Sequence, residues 1–114
     1  MGQFDHLSTS VRLSVKNPAT DKDAGFGYGI ASLCLGVRDL GSLNAAAKSM
    51  GMAYSKAWRV IRDSEASLGM QLLNRDGAHG SVLTPEGDRL LDAYLEIADL
   101  LEEEAERLFR EKLA

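Results

Sequence analysis

The segment from residue 43 to residue 62 constrains the fold more than any other part of the chain. It opens with an apolar stripe at the spacing of a buried helix face and leads into a second stripe. The two stripes consist of Leu43, Ala46, Ala47 and Met50, and of Ala57, Val60, Ile61, Ser64 and Leu68. Gly51 lies between them and can adopt the positive φ of a sharp helix end. Because small alanines let two crossing helices approach closely, the segment predicts a helix-turn-helix over residues 42–69.

The second of these helices carries its polar side chains opposite the apolar stripe. A short helix that is anchored from behind and presents basic and hydroxyl groups outward fits the major groove of double-stranded DNA. We therefore expect a recognition helix in which Arg59 reaches a base edge and Lys56 reaches a phosphate. The complete set of predicted DNA contacts is Ser42, Lys48, Tyr54, Ser55, Lys56, Arg59, Arg62, Arg75 and His79.

Four other side chains of this helix affect the predicted surface. Trp58 is expected to pack beneath the wing, since tryptophan mostly contributes buried area. For Tyr54, contact with DNA and packing within the domain are both open. Asp63 and Glu65 are expected to pair with neighbouring basic side chains and to weaken the positive surface.

The net charge of −4 argues against nucleic acid until its distribution is considered. Residues 84–114 carry ten acidic and four basic side chains, so residues 1–83 hold a net charge of +2. Local charge matters most because salt limits the electrostatic reach to ~10 Å. Two functions follow: a sequence-specific DNA-binding transcription regulator that acts as a homodimer, or a winged-helix protein-interaction module with weak or no DNA binding.

The remaining residues of the first 83 predict an N-terminal strand, one more helix and a wing. Residues 6–16 alternate apolar and polar side chains, which is typical of a half-buried strand. Three alternate glycines at 25, 27 and 29 lack the spacing of a phosphate loop and favour a turn into a helix over residues 30–40. Residues 71–83 predict two short strands around a glycine-containing tip. We therefore predict a winged helix-turn-helix domain over residues 1–83.

Residues 84–114 predict one long helix. Thr84 and Pro85 are suited to its N-cap and first helical position. Apolar residues then recur at alternating spacings of three and four, which is typical of a coiled-coil seam. The predicted dimerisation residues are Leu91, Tyr94, Ala98, Leu101, Ala105 and Leu108. The alternative is a helix that folds back along its own domain. The expected fold class is mainly α with a small β component.

Other classes of protein lack support in the sequence. No nucleophile–base pair or His/Cys/carboxylate cluster has the spacing of a catalytic or metal site, so we expect no enzyme activity, metal or cofactor. No apolar stretch approaches the roughly 20 residues that span a bilayer, so no membrane is expected. The single cysteine, Cys34, fits a reducing compartment and core packing, and we expect a cytoplasmic protein.

Four short motifs of the chain resemble those in the N-terminal domain of the molybdate-responsive ModE-like regulators, which are related to LysR-type regulators. They are Gly41-Ser-Leu-Asn-Ala-Ala-Ala47, Gly51-Met-Ala-Tyr-Ser-Lys-Ala-Trp58, Leu83-Thr-Pro-Glu-Gly87, and Phe26-Gly27 with Gly29. The resemblance implies a winged-helix domain whose recognition helix starts near Ala53 and whose following helix dimerises.

Two features depart from the family pattern. The wing tip, from Asp76 to Gly80, is shorter than the glycine-rich wing of many members and lacks their lysine, and Ser55 stands where a lysine often follows the tyrosine. Regulators that bind molybdate do so in appended domains, and no such domain is found within these 114 residues. We therefore expect this chain not to bind molybdate.

Overall fold

The computed structural model describes residues 2–20, 24–76 and 80–114. Four helices and a two-stranded antiparallel sheet follow one another along these ranges, and the arrangement is mainly helical. The elements are α1 (Tyr28–Leu40), α2 (Leu43–Ser49), α3 (Tyr54–Leu68), β1 (Leu73–Asp76), β2 (Gly80–Leu83) and α4 (Pro85–Lys112). The predicted winged helix-turn-helix with a long C-terminal helix is confirmed.

The ends of the first helices are formed by two glycines and a capping hydroxyl. Gly41 ends α1 with φ +84°, and the Ser42 hydroxyl then accepts a hydrogen bond from the Ala45 amide at 3.1 Å as the N-cap of α2. Gly51 has φ +66° in the turn between α2 and α3. These positions therefore fix the angle at which each helix follows the one before it.

The core forms where α1, α2, α3 and the start of α4 converge. Phe26 is fully buried there and meets the Tyr94 ring edge-on, with ring centroids 5.3 Å apart. Cys34 is also fully buried, and burial, helped by the charge of Glu65, raises the pKa of its thiol to about 12. The expected core packing of the cysteine is confirmed.

α1 packs tightly against α2 at Gly36. A Cβ atom at this position would lie 2.6 Å from the Cβ of Ala46 and 3.1 Å from its Cα. The absence of a side chain therefore sets the distance between the two helices. At Gly29, also in α1, a Cβ would meet no atom within 4 Å.

These two glycines provide a matched test of the close approach. Gly36→Ala is expected to lower the free energy of unfolding by about 1 to 2 kcal/mol, since overpacking outweighs the gain in helix propensity. Gly29→Ala, made as the control, should leave it unchanged or raise it by up to about 1 kcal/mol. Urea denaturation followed by circular dichroism measures both. Equal stabilisation by the two substitutions would contradict the packing argument.

The prediction of a strand over residues 6–16 is wrong. Exposed and partly buried side chains alternate from residue 8 to residue 16, but the segment runs along α4 and pairs as a strand only in an isolated bridge between Val15 and Phe26. Two of its backbone amides donate hydrogen bonds to side chains of α4 instead. The Thr9 and Val11 amides donate to carboxylates of Glu106 at 2.9 Å and Glu102 at 3.0 Å.

Further contacts hold this N-terminal segment against α4. The Tyr94 hydroxyl donates to the Leu13 carbonyl at 3.0 Å, and Arg110 donates to the Leu7 carbonyl. The hydrogen bond from the Thr9 amide is the main cause of the lowered pKa of Glu106. Acidic side chains of α4 thus replace a neighbouring strand as acceptors for the segment's amides.

The six apolar residues predicted as a dimer seam differ in burial along α4. Leu91 is fully buried and Tyr94 is buried, both within the core of the chain itself. Ala98 and Ala105 are partly buried, whereas Leu101 and Leu108 are exposed. The first half of the predicted seam therefore belongs to the domain, as the alternative interpretation of a folded-back helix proposed.

Candidate nucleic-acid interface

The recognition-helix candidate α3 is anchored by its apolar face. Ala57, Ile61 and Ser64 are fully buried, and the Ser64 hydroxyl donates to the Gly25 carbonyl at 2.9 Å. The opposite face is free of this packing because a helix repeats every 3.6 residues. Its exposed residues include Ser55, Lys56, Arg59 and Arg62.

The residues before α3 present fewer groups on this surface. Lys48 is exposed near the end of α2. Ser42 is partly buried, and its hydroxyl accepts the N-cap hydrogen bond of α2. Ala53 is the N-cap residue of α3, and its side chain makes no capping hydrogen bond. The first amides of α3 are consequently left for solvent or a ligand, as at other helix N-termini.

An aromatic cluster links α3 to the wing. Trp58 is partly buried and meets the ring of Tyr54 edge-on, with centroids 6.4 Å apart. The guanidinium carbon of Arg62, one turn further along α3, lies 4.8 Å from the Trp58 ring centroid. That of Arg75, on β1, lies 5.0 Å from the same centroid. Trp58 therefore packs where the wing begins, and Tyr54 both packs and remains 42 % exposed.

Glu65 has a different role from the one expected of it. The side chain is buried, and its Oε2 accepts hydrogen bonds from the amides of Leu72 at 2.7 Å and Leu73 at 3.2 Å. Its Oε1 lies 3.4 Å from Nη1 of Arg62. The carboxylate mainly holds the turn from α3 into β1, so its predicted role in weakening the basic surface is a minor one.

The base of the wing is held by the start of α4. The Thr84 hydroxyl accepts from the Gly87 amide at 2.9 Å and donates to the Gln71 carbonyl at 2.7 Å. A Cβ on Gly87 would lie 2.5 Å from the Leu72 carbonyl oxygen, so only glycine allows this approach. The threonine and glycine of the Leu83-Thr-Pro-Glu-Gly87 motif thus fix β1 and β2 relative to α4.

Apart from Ser42, the predicted contacts divide into three groups. Lys48, Tyr54, Ser55, Lys56, Arg59 and Arg62 are exposed on α2 and α3. Arg75 is exposed on β1, opposite Ser81 of β2 in the strand register. His79 lies outside the described residues. The contact between Arg75 and the Trp58 ring places the start of the wing beside α3.

Two other kinds of site were sought in the described parts of the chain. No group of three or more His, Cys, Asp or Glu residues there is arranged to hold a metal ion. None of the helices described is long and apolar enough to cross a membrane.

Comparison with known proteins identifies related domains. The family profile for bacterial regulatory helix-turn-helix proteins of the lysR family matches residues 32–88. A chain in the crystal structure of the CbnR_DBD–DNA complex is similar with a TM-score of 0.60 and 27 % sequence identity, over 72 % of this chain and 93 % of that one. No curated protein sequence matches significantly. The profile extends from within α1 to the first turn of α4, so it includes the helix-turn-helix and the wing.

Proposed function

Because the chain belongs to the LysR family of bacterial regulatory helix-turn-helix proteins, we propose that it regulates transcription by binding specific sites on double-stranded DNA as a homodimer. The DNA-binding part of this statement follows from the family and from the likeness to a domain crystallised with DNA. Bacterial DNA lies in the cytoplasm, so the proposal implies that compartment. The resemblance of Tyr54, Ala57 and Trp58 to ModE-like regulators makes membership of that narrower group a further proposal.

The observation that carries the proposal is the exposed face of α3. Ser55, Lys56 and Arg59 are exposed, while Ala57 and Ile61 anchor the opposite face in the core. This arrangement supports insertion of α3 into the major groove, where arginine binds guanine edges and lysine binds phosphates. The acidic side chains of α4 lie on another element, and several are paired with the N-terminal segment.

The proposed dimer uses the part of α4 that the domain leaves uncovered. Ile97, Leu100, Leu101 and Leu108 are exposed and lie within about 100° of one another around the helix axis. The N-terminal segment binds α4 through Glu102 and Glu106, which lie away from this stripe. A second copy of α4 would remove these apolar groups from water, which supports self-association.

The test is the binding of Lys56→Ala/Arg59→Ala to an operator selected from the promoter region of the gene itself. We expect this double variant to lose roughly 2 to 4 kcal/mol of binding free energy per protomer, because each protomer loses one base contact and one phosphate contact. The slope of log Kd against log salt should fall by about one for each protomer bound. Fluorescence anisotropy over a salt series measures both quantities.

The matched control removes the same charge from another surface. Arg89→Ala/Lys112→Ala changes two exposed basic residues of α4 and should bind the operator nearly as tightly as the wild type. Equal binding by the wild type and a folded Lys56→Ala/Arg59→Ala variant would show that this face of α3 does not read DNA. The protein-interaction function would then be the better account of the net charge of −4 and the short wing.

A further inference from the structure

Two arginines from different elements lie beside the single tryptophan of the chain. Arg62 is on α3 and Arg75 is on β1, and their guanidinium carbons are 4.8 Å and 5.0 Å from the centroid of the Trp58 ring. The distance between the two guanidinium carbons therefore cannot exceed the sum of these two distances. The indole thus gathers two positive charges at the junction between the recognition-helix candidate and the wing.

Such a pair of cations is stabilised more strongly when an anion joins it. Each guanidinium is attracted by the face of the indole, but the two charges repel each other. The described counter-charge is Glu65, whose Oε1 lies 3.4 Å from Arg62, a long ion pair. Arg62 keeps 56 % of its side chain exposed, so it can donate to a phosphate without leaving the indole.

The junction itself is held in place by buried hydrogen bonds. Glu65 accepts from the Leu72 and Leu73 amides at the start of β1, so the strand that carries Arg75 is tied to the end of α3. The spacing of the two arginines is therefore set by the fold before any ligand binds. Preorganised donors of this kind lose little conformational entropy on binding.

We propose that Trp58 is a positioning residue that joins Arg62 and Arg75 into one clamp for the phosphate backbone of DNA. The inference rests on the proposed function and assigns the tryptophan a role in it. Through this clamp, α3 and the wing bind the same segment of the DNA phosphate backbone. The two arginines consequently act as a unit, and the indole face couples them.

The test compares Arg62→Ala, Arg75→Ala and the double variant in the wild-type and Trp58→Leu backgrounds. In the wild-type background, the double variant should lose less affinity than the product of the two single losses. Trp58→Leu should weaken binding roughly 3- to 30-fold. In the Trp58→Leu background, the affinity loss of the double arginine variant should equal the product of the losses of Arg62→Ala and Arg75→Ala. Trp58→Phe retains an aromatic face and should bind between the wild type and Trp58→Leu. Salt slopes and melting temperatures are measured for every variant.

The emission of Trp58 gives a readout that needs no substitution of the indole. Adding operator duplex should change the tryptophan fluorescence saturably, and the change should shrink in Arg62→Ala and in Arg75→Ala. If Trp58→Leu fails to fold, this titration and the Trp58→Phe variant still decide the question. Multiplicative losses in the wild-type background, or unchanged emission at saturating DNA, would overturn the clamp.

The outcomes also separate the clamp from the proposed function. If the wild type binds operator and Lys56→Ala/Arg59→Ala does not, but Trp58→Leu binds with the wild-type affinity and salt slope, only the clamp is wrong. If the wild type binds no duplex at low salt, both are wrong.

Discussion

Glu65→Ala is expected to lower the free energy of unfolding by about 2 to 5 kcal/mol, since each buried amide left without an acceptor costs ~1–3 kcal/mol. The substitution removes the carboxylate oxygen that accepts from the amides of Leu72 and Leu73. Both residues are fully or almost fully buried, so water cannot easily replace the lost acceptor. Urea denaturation followed by circular dichroism measures the loss.

Two further variants separate hydrogen bonding from charge. Glu65→Gln keeps one acceptor oxygen and should lose no more than about half as much stability as Glu65→Ala. Asp63→Ala removes the same charge from an exposed neighbour and should change stability by less than about 0.5 kcal/mol. If Glu65→Ala is no less stable than Asp63→Ala, the carboxylate does not hold the turn.

Local rules explain why the helix ends were predictable and the role of Glu65 was not. Gly51 and Thr84 act on residues within one turn, and their neighbours in sequence reveal them. Glu65 accepts from amides seven and eight residues away, after the chain has reversed direction at Gly69. One signal was available: a segment that turns from a helix into a buried strand leaves amides that need an acceptor.

The N-terminal segment shows a limit of periodicity. Alternation correctly indicated that one face of the segment lies toward the protein from residue 9 to residue 15, although Leu7 is exposed. It could not reveal whether the backbone amides meet another strand or side chains. Here Glu102 and Glu106 accept them, because an acidic helix lies where a strand would otherwise pair. The acidic face of α4 is thus partly structural.

The predicted dimer seam divides along α4 rather than around it. Its six residues, from Leu91 to Leu108, lie within roughly 100° of one another around the helix axis. Leu91 and Tyr94 pack in the core of the domain, whereas Leu101 and Leu108 lie farther along the helix and are exposed. The proposed contact therefore begins near Ile97, beyond the buried part of α4.

Leu101→Glu/Leu108→Glu is therefore expected to convert a dimer into a monomer at tens of micromolar protein. These leucines are 38 % and 39 % exposed in the single chain, and burying each would contribute about 1 to 2 kcal/mol. Two buried, unpaired carboxylates per chain add a larger penalty. Sedimentation velocity measures the change.

The control for this prediction is Leu113→Glu, which alters a leucine that is 42 % exposed immediately beyond the C-terminal end of α4. It should remain dimeric, because this residue lies outside the proposed contact from Ile97 to Leu108. The doubly substituted monomer should also bind a two-site operator at least tenfold more weakly, since the two recognition helices would no longer be linked. A wild type that sediments as a monomer at this concentration would contradict the proposed dimer, and the stripe from Ile97 to Leu108 would then be solvent-exposed apolar surface.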